Sequence, residues 1–241
     1  EVHRFVKVGT QTIVAPVVTT LLFLAVFALA MTGARPAIHG IPFNEFLAPG
    51  LIMMAILQNA FANTSSSVMI SKIQGNIVDI LMPPLSAGEV TFALVAGGVV
   101  RGLLVGLVTG LAALIFVPLG IVHVWAVLYY ATAATVQMSV LGTMGGIWAD
   151  KFDHMAAVTN FVITPLSFLS GTFYSVERLP EPFRMISSYN PFFFLIDGFR
   201  YGMVGRADGR LGVGAVVVFA ISACLWFLTY RMFARGWKLK A

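Results

Sequence analysis

The sequence predicts an all-α polytopic membrane protein, and three observations predict it. Of the 241 residues, 59% are hydrophobic and 10% are charged, where soluble domains carry about 25% charged residues. The mean hydropathy is +0.90. Six apolar runs, at 13–32, 46–70, 90–119, 124–148, 155–174 and 211–233, approach or exceed the ~20 residues that carry a helix across a bilayer. No polar stretch between them is long enough to build a soluble domain, so residues 1–241 read as one membrane domain.

Ahead of the first run lies EVHRFVKVGTQ, in which Val2, Phe5, Val6 and Gly9 share a helical face with Arg4 and Lys7 elsewhere. That pattern predicts an amphipathic interfacial helix over 1–12, or else simply the start of the first span. The chain begins at Glu1 rather than Met, so we expect residues to precede it, and its first run lacks the cleavage pattern of a secretory signal.

The second run ends in a polar stripe of Gln58, Asn59, Asn63, Thr64, Ser65, Ser66 and Ser67. Polar groups in a span either bond neighbouring helices or line a wet cavity, and both readings stand. Phe61, with Phe161, Phe168 and Phe173 of the fifth run, can form an aromatic wall.

Residues 72–84 follow. Ile73, Ile77, Ile80 and Leu81 keep helical spacing, and Pro83-Pro84 end the helix. A short amphipathic helix tied to two spans is a lever that a soluble partner can grip; the alternative is a turn lying on the lipid surface. In the third run Gly98, Gly102, Gly106 and Gly110 recur every fourth residue, a ridge for close helix contact within one subunit or between two. Arg101 in that run faces a cavity or partner, or else snorkels to the surface.

Between the fifth and sixth runs, residues 176–202 are too rich in proline and charge to span a bilayer and too apolar for a solvated loop. Pro180, Pro182 and Asn190-Pro191 divide the segment into two short helices that dip into the membrane and return. Irregular backbone at membrane depth survives only within protein or beside water, which points to a transport path. The other reading is a cap that seals the outer face. Asp197 and Arg200, three apart, can form a local ion pair.

Six spans place both termini on one side. Arg4 and Lys7 at one end, with Arg231, Arg235, Lys238 and Lys240 at the other, make that side cytoplasmic. Lys72 and Lys151 then lie in cytoplasmic loops. Arg178, Arg184, Arg200, Arg206 and Arg210 count against this orientation, offset in part by Glu177, Glu181 and Asp197. The net charge of +5 therefore reflects membrane flanks and lipid headgroups, not nucleic acid. Cys224 is the single cysteine, so no intrachain disulfide forms, and it reads as a small apolar side chain.

The chain has no GxxxxGK[ST] phosphate loop and no HExxH, and His3, His39, His123 and His154 lack ligand spacing. We expect no catalytic, cofactor or metal site in it. A self-sufficient channel or secondary transporter would be favoured by carboxylates deep in the spans, but Glu45, Glu89, Asp150 and Asp153 all fall near span ends. An intramembrane enzyme needs a reactive polar cluster, and only Arg101 and the second-run stripe come close.

Four segments in order carry a resemblance: RFVKVGTQTIVAPVV, FLAPGLIMMAILQNAFANTSSS, KIQGNIVDILMPPLSAGEV and FLSGTFYSVERLPEPFRMISSYNPFFFLIDGFRYGM. Through them the chain resembles, over nearly its whole length, the permease subunits of bacterial type-2 ABC exporters. The resemblance implies an elbow helix at 1–12, a coupling helix at 72–84 and a re-entrant pair at 176–202 facing outside. It implies a homodimer in the bacterial cytoplasmic (inner) membrane with two separate ATP-binding subunits, which hold ATP and Mg. It also implies a path between the permeases, along spans one, two and five, for a lipid, glycan or drug-like amphiphile. On this reading Ile73, Gln74, Asn76, Ile77 and Asp79 couple to the ATPase, with Ile77 on the apolar docking face. Asn59, Phe61, Asn63, Arg101 and Phe168 belong to the path, and Phe192, Phe193 and Phe194 to the outer gate.

Overall fold

The computed structural model describes residues 9–30, 37, 38 and 40–238, and these residues form helices with no strand beyond an isolated Ile38–Ile41 bridge. Helix α1 spans Gly9–Ala30, α2 Phe43–Ile73, α3 Ile77–Leu81, α4 Ala87–Ala113 and α5 Val124–Trp148. A further run comprises α6 (Phe152–Val158), a π-helical segment (Thr159–Ile163) and α7 (Thr164–Leu169). A 3-10 turn (Val176–Arg178), α8 (Glu181–Tyr189), α9 (Pro191–Val204) and α10 (Leu211–Arg235) complete the order. Helices α2, α4, α5 and α10 are long and apolar enough to cross a membrane, while the apolar helix Ile13–Phe27 within α1 is shorter. The interfacial helix expected at 1–12 falls, through residue 8, outside the described residues.

Several expected boundaries are corrected, each for a backbone reason. The third run ends as a helix at Ala113 rather than 119, because Pro118 cannot continue a helix and a turn intervenes. The fifth run starts at Phe152 and ends at Leu169 rather than 174, where Gly171 takes a φ of +77° that suits glycine. The second run lengthens to 31 residues, about 46 Å at 1.5 Å per residue, so one end of α2 projects beyond a ~30 Å hydrocarbon core.

Helix α2 is the hub. It is buried along most of its length and packs most extensively on α5 and α4, whereas α10 is mostly exposed at the periphery. Glycines permit the close approach. An added Cβ at Gly146 of α5 would lie 2.9 Å from the Ser65 carbonyl, and one at Gly102 of α4 would lie 2.6 Å from Thr135 Cγ2 and 3.1 Å from Ala60 Cβ. Gly98 and Gly106 likewise face Thr64 with Ser139, and Ile56. The ridge of glycines thus serves packing within the subunit, the first of its two readings.

The molecule has two distinct ends. At one, the Lys72 ammonium donates to the Ile147 and Ala149 carbonyls, both at 2.7 Å, and Lys238 donates to the Trp148 carbonyl at 3.1 Å. These cations satisfy the last carbonyls of α5 and suit its negative dipole end. Asp150 lies between them, 3.6 Å from Lys72 and 3.5 Å from Lys238. At the other end, the Val122 and His123 N–H groups donate to the Gly202 carbonyl at 2.9 and 2.8 Å, and the Tyr130 hydroxyl donates to the Leu211 carbonyl at 3.2 Å. The first end gathers the C-termini of α2, α5 and α10 with α3; the second gathers α9 with the starts of α5 and α10.

Candidate functional site

The lever is shorter than expected and is held differently. Lys72 and Ile73 belong to the last turn of α2, and Gly75 at φ +75° turns the chain into α3, which has five residues. Ile77 is buried, packed with Val68, Val90, Leu94, Ile147 and Phe233 where α2, α4, α5 and α10 converge. Ile77, expected on the apolar docking face, is thus turned toward the spans in this chain. Its side chain anchors the lever to the spans, because the break at Gly75 rotates it away from Ile73. Ile73, Gln74, Asn76, Val78, Asp79 and Met82 are exposed around it. The far end is fixed by a capping box. Ser86 N–H donates to Glu89 Oε2 at 2.7 Å, and the Ser86 hydroxyl accepts from the Glu89 N–H at 3.3 Å. The S-x-x-E spacing of Ser86 and Glu89 was the available signal for it. Nothing in local sequence marked Lys72 as the clamp on α5.

The residues expected on the path fall into two groups. Asn59 and Asn63, one turn apart on α2, both accept from Arg101 of α4, with Nη1 to Asn63 Oδ1 at 3.2 Å and Nη2 to Asn59 Oδ1 at 3.5 Å. Two residues of the polar stripe thus hold the half-buried Arg101 cation. Asn59 also lines a groove of about 250 Å3 between α1 and α2, with Thr19, Thr20, Gln58 and Phe23. Phe23 continues into an aromatic cluster: its ring and those of Phe27 and Phe168 lie 5.7, 5.7 and 5.2 Å from Phe173. Phe61 is not part of that wall. Its ring is buried against Gly145 and Met155 beneath α5. Phe161 is 82% exposed and stands apart.

The segment at the opposite end is built around Asn190. Its side-chain oxygen accepts from the Phe192 N–H at 3.1 Å, capping α9, and its amide donates to the Leu166 carbonyl at 2.8 Å and Ser170 Oγ at 2.7 Å. Pro191 follows at the position where proline is pre-organised for a helix. Phe192 and Phe193 are buried, and Phe194 is half-buried against Gly214 of α10. These rings, expected at the outer gate, face inward and pack α9 against its neighbours. The expected Asp197–Arg200 pair is also replaced. Asp197 accepts from the Asp208 and Gly209 N–H groups at 2.8 and 2.9 Å. Arg200 donates to the Phe46 carbonyl at 3.2 Å and the Gly171 carbonyl at 2.6 Å, with its guanidinium 3.9 Å from the Phe46 ring centre. The Asp208 carboxylate accepts from the Val176 N–H at 2.9 Å.

The helical chain thus has a lysine clamp on α5 at one end and a buried polar clasp at the other, and no group of metal-ligating residues among those described. The profile of the ABC-2 type transporter family matches residues 1–204, and the chain belongs to that family. It is 36% identical to the inner membrane transport permease YadH of Escherichia coli K12, covering 100% of this chain and 94% of that protein. It is 26% identical to nodulation protein J of Rhizobium leguminosarum bv. viciae, over 76% of this chain and 72% of that protein. Family, relatives and apolar helices together mark an integral inner membrane permease.

Proposed function

We propose that this chain is the permease subunit of an ATP-driven exporter, pairing as a homodimer above two ATP-binding subunits that hold ATP and Mg. The chain itself then carries out no chemistry. The observation that supports this best is the lever region 72–84. It has an exposed, mixed face of Ile73, Gln74, Asn76, Val78 and Asp79, and it is rooted by Ile77 where four helices meet. A push on that face reaches α2, α4, α5 and α10 at once.

In this reading α1 and the run 152–169 are the first and fifth of six spans, and α8 and α9 are the re-entrant pair. Both termini and α3 are cytoplasmic. Cargo, an amphiphile of lipid, glycan or drug type, moves between the two copies past Asn59, Asn63, Arg101 and Phe168. Phe61 backs that surface from within. Phe192, Phe193 and Phe194 close the outer end from inside the chain.

The test is purification of the chain from its native membrane with its partners intact, followed by assay of ATP hydrolysis. A co-purifying ATPase of about 30 kDa, one folded nucleotide-binding unit, near one-to-one is the expected result. No such partner would favour a channel that works alone. Sidedness is checked by Glu181→Cys in a Cys224→Ser background, which an impermeant thiol reagent should label in intact cells. Labelling only after lysis inverts the topology.

A further inference from the structure

The run from Phe152 to Leu169 ascends through α6, the π segment and α7 without a break. At 1.5 Å per residue it is about 27 Å long, and Asn160 lies about 12 Å from its start, near the middle of the run. The Thr164 N–H donates to the Thr159 carbonyl. Pro165, the next residue, has no N–H. Those are the two main-chain donors that an α-turn and a π-turn would offer the Asn160 carbonyl, so the helix ladder leaves that oxygen unused. The Asn160 side chain is exposed, and its carboxamide makes no hydrogen bond to the described residues. Ala156, Ala157 and Phe161 are exposed beside it, and the nearest charge on the run is Asp153, about two turns below.

An unused carbonyl and a bare carboxamide side by side are poorly tolerated against lipid tails, where no water replaces the missing bonds. We propose that the Asn160 carboxamide and the carbonyl freed by the π-turn form a hydrogen-bonding station in the transport path. The station offers two acceptor oxygens to the hydroxyl or amide hydrogens of a neutral cargo headgroup, and the carboxamide NH2 as donor to its oxygens. It provides no countercharge for an ionic one. The proposal rests on the reading above, in which the path runs between two copies beside the fifth span. Asn160 then acts as a specificity-determining contact, and the π-turn is the backbone device that makes its carbonyl available.

The test uses the full complex in native membrane vesicles, in a Cys224→Ser background, with Asn160→Cys compared with Val216→Cys on the peripheral helix α10, where Val216 is 69% exposed. The probe is a charged methanethiosulfonate reagent. We expect Asn160→Cys to react at least about tenfold faster, because the reagent consumes thiolate, which forms only where water reaches. Octyl glucoside, at a concentration that leaves vesicles intact, should slow that reaction, and octyltrimethylammonium should not. Equal rates at both positions place Asn160 against lipid and overturn the station. Oxidative cross-linking of two Asn160→Cys copies without labelling makes it a dry contact between copies and also overturns it. Equal protection by both amphiphiles overturns the headgroup assignment. Co-purifying ATP hydrolysis with an unreactive Asn160→Cys would sink the station alone, whereas absence of an ATPase would sink the path reading beneath it.

Discussion

Arg200 shows how much one side chain can hold together here. It is 2% exposed, and its guanidinium joins α9 to the first turn of α2 and to the turn after α7. Gly50 makes the approach possible, since an added Cβ there would lie 3.2 Å from Arg200 Nη2 and 2.6 Å from the Thr172 carbonyl. Hydrogen bonds from a charged donor contribute about 1.5–3 kcal/mol each, so Arg200→Ala should destabilise the chain by about 3 kcal/mol or more. Arg200→Lys should recover little, because a single ammonium cannot reach both carbonyls and stack on Phe46. Denaturant unfolding of the purified chain in detergent measures both, and wild-type stability in Arg200→Ala would contradict the assignment. The sequence suggested Asp197 as the partner because three-residue spacing is local and visible. The real acceptors, the Phe46 and Gly171 carbonyls, are 154 and 29 positions away, and one-dimensional spacing carries no trace of them.

Among the helices, hydrophobic run length located the cores of the spans, and proline and glycine decided where those runs stopped being regular. Pro118 ended α4 early, and Pro165 accompanied the π segment in the fifth run. Both prolines were visible, yet their effect depends on which carbonyl loses its donor, which a hydropathy window does not register. The glycine ridge of α4 was visible as a pattern, but its partner was not, because four-residue spacing suits a contact inside a subunit as well as one between subunits. The structure turns it into a graded prediction. A Cβ at Gly102 would meet Thr135 Cγ2 at 2.6 Å, whereas one at Gly110 would meet only Ile52 Cδ1 at 3.8 Å. Gly102→Ala should therefore cost about 1–3 kcal/mol through overpacking, and Gly110→Ala should be near neutral or mildly stabilising. Equal effects in the same unfolding assay would show that α4 does not pack on α2 and α5 through this face.

For the molecule as a whole, the question is how a force applied at α3 could reach the opposite end. Ile77 is rooted among α2, α4, α5 and α10; Lys72 and Lys238 clamp α5; and Arg200 with Asn190 clasps α9 to α2 and α7. The connected parts span both ends, with α2 as the common member. This arrangement separates anchoring from docking, two roles that amphipathic spacing alone had merged in Ile77. Val78, 52% exposed on α3, is the docking candidate, and Ile77 is the anchor. Val78→Asp should leave the chain as stable as wild type while removing an apolar contact worth about 1.5–3 kcal/mol, which weakens ATPase binding about 10- to 100-fold. Ile77→Asp should instead bury a carboxylate among five apolar side chains and lower the stability of the permease before any partner is added. Partner affinity and unfolding, measured side by side on the two variants, distinguish the roles. If Ile77→Asp unfolded like wild type yet lost the partner, Ile77 would be the docking residue after all, and the lever would have to turn outward when gripped.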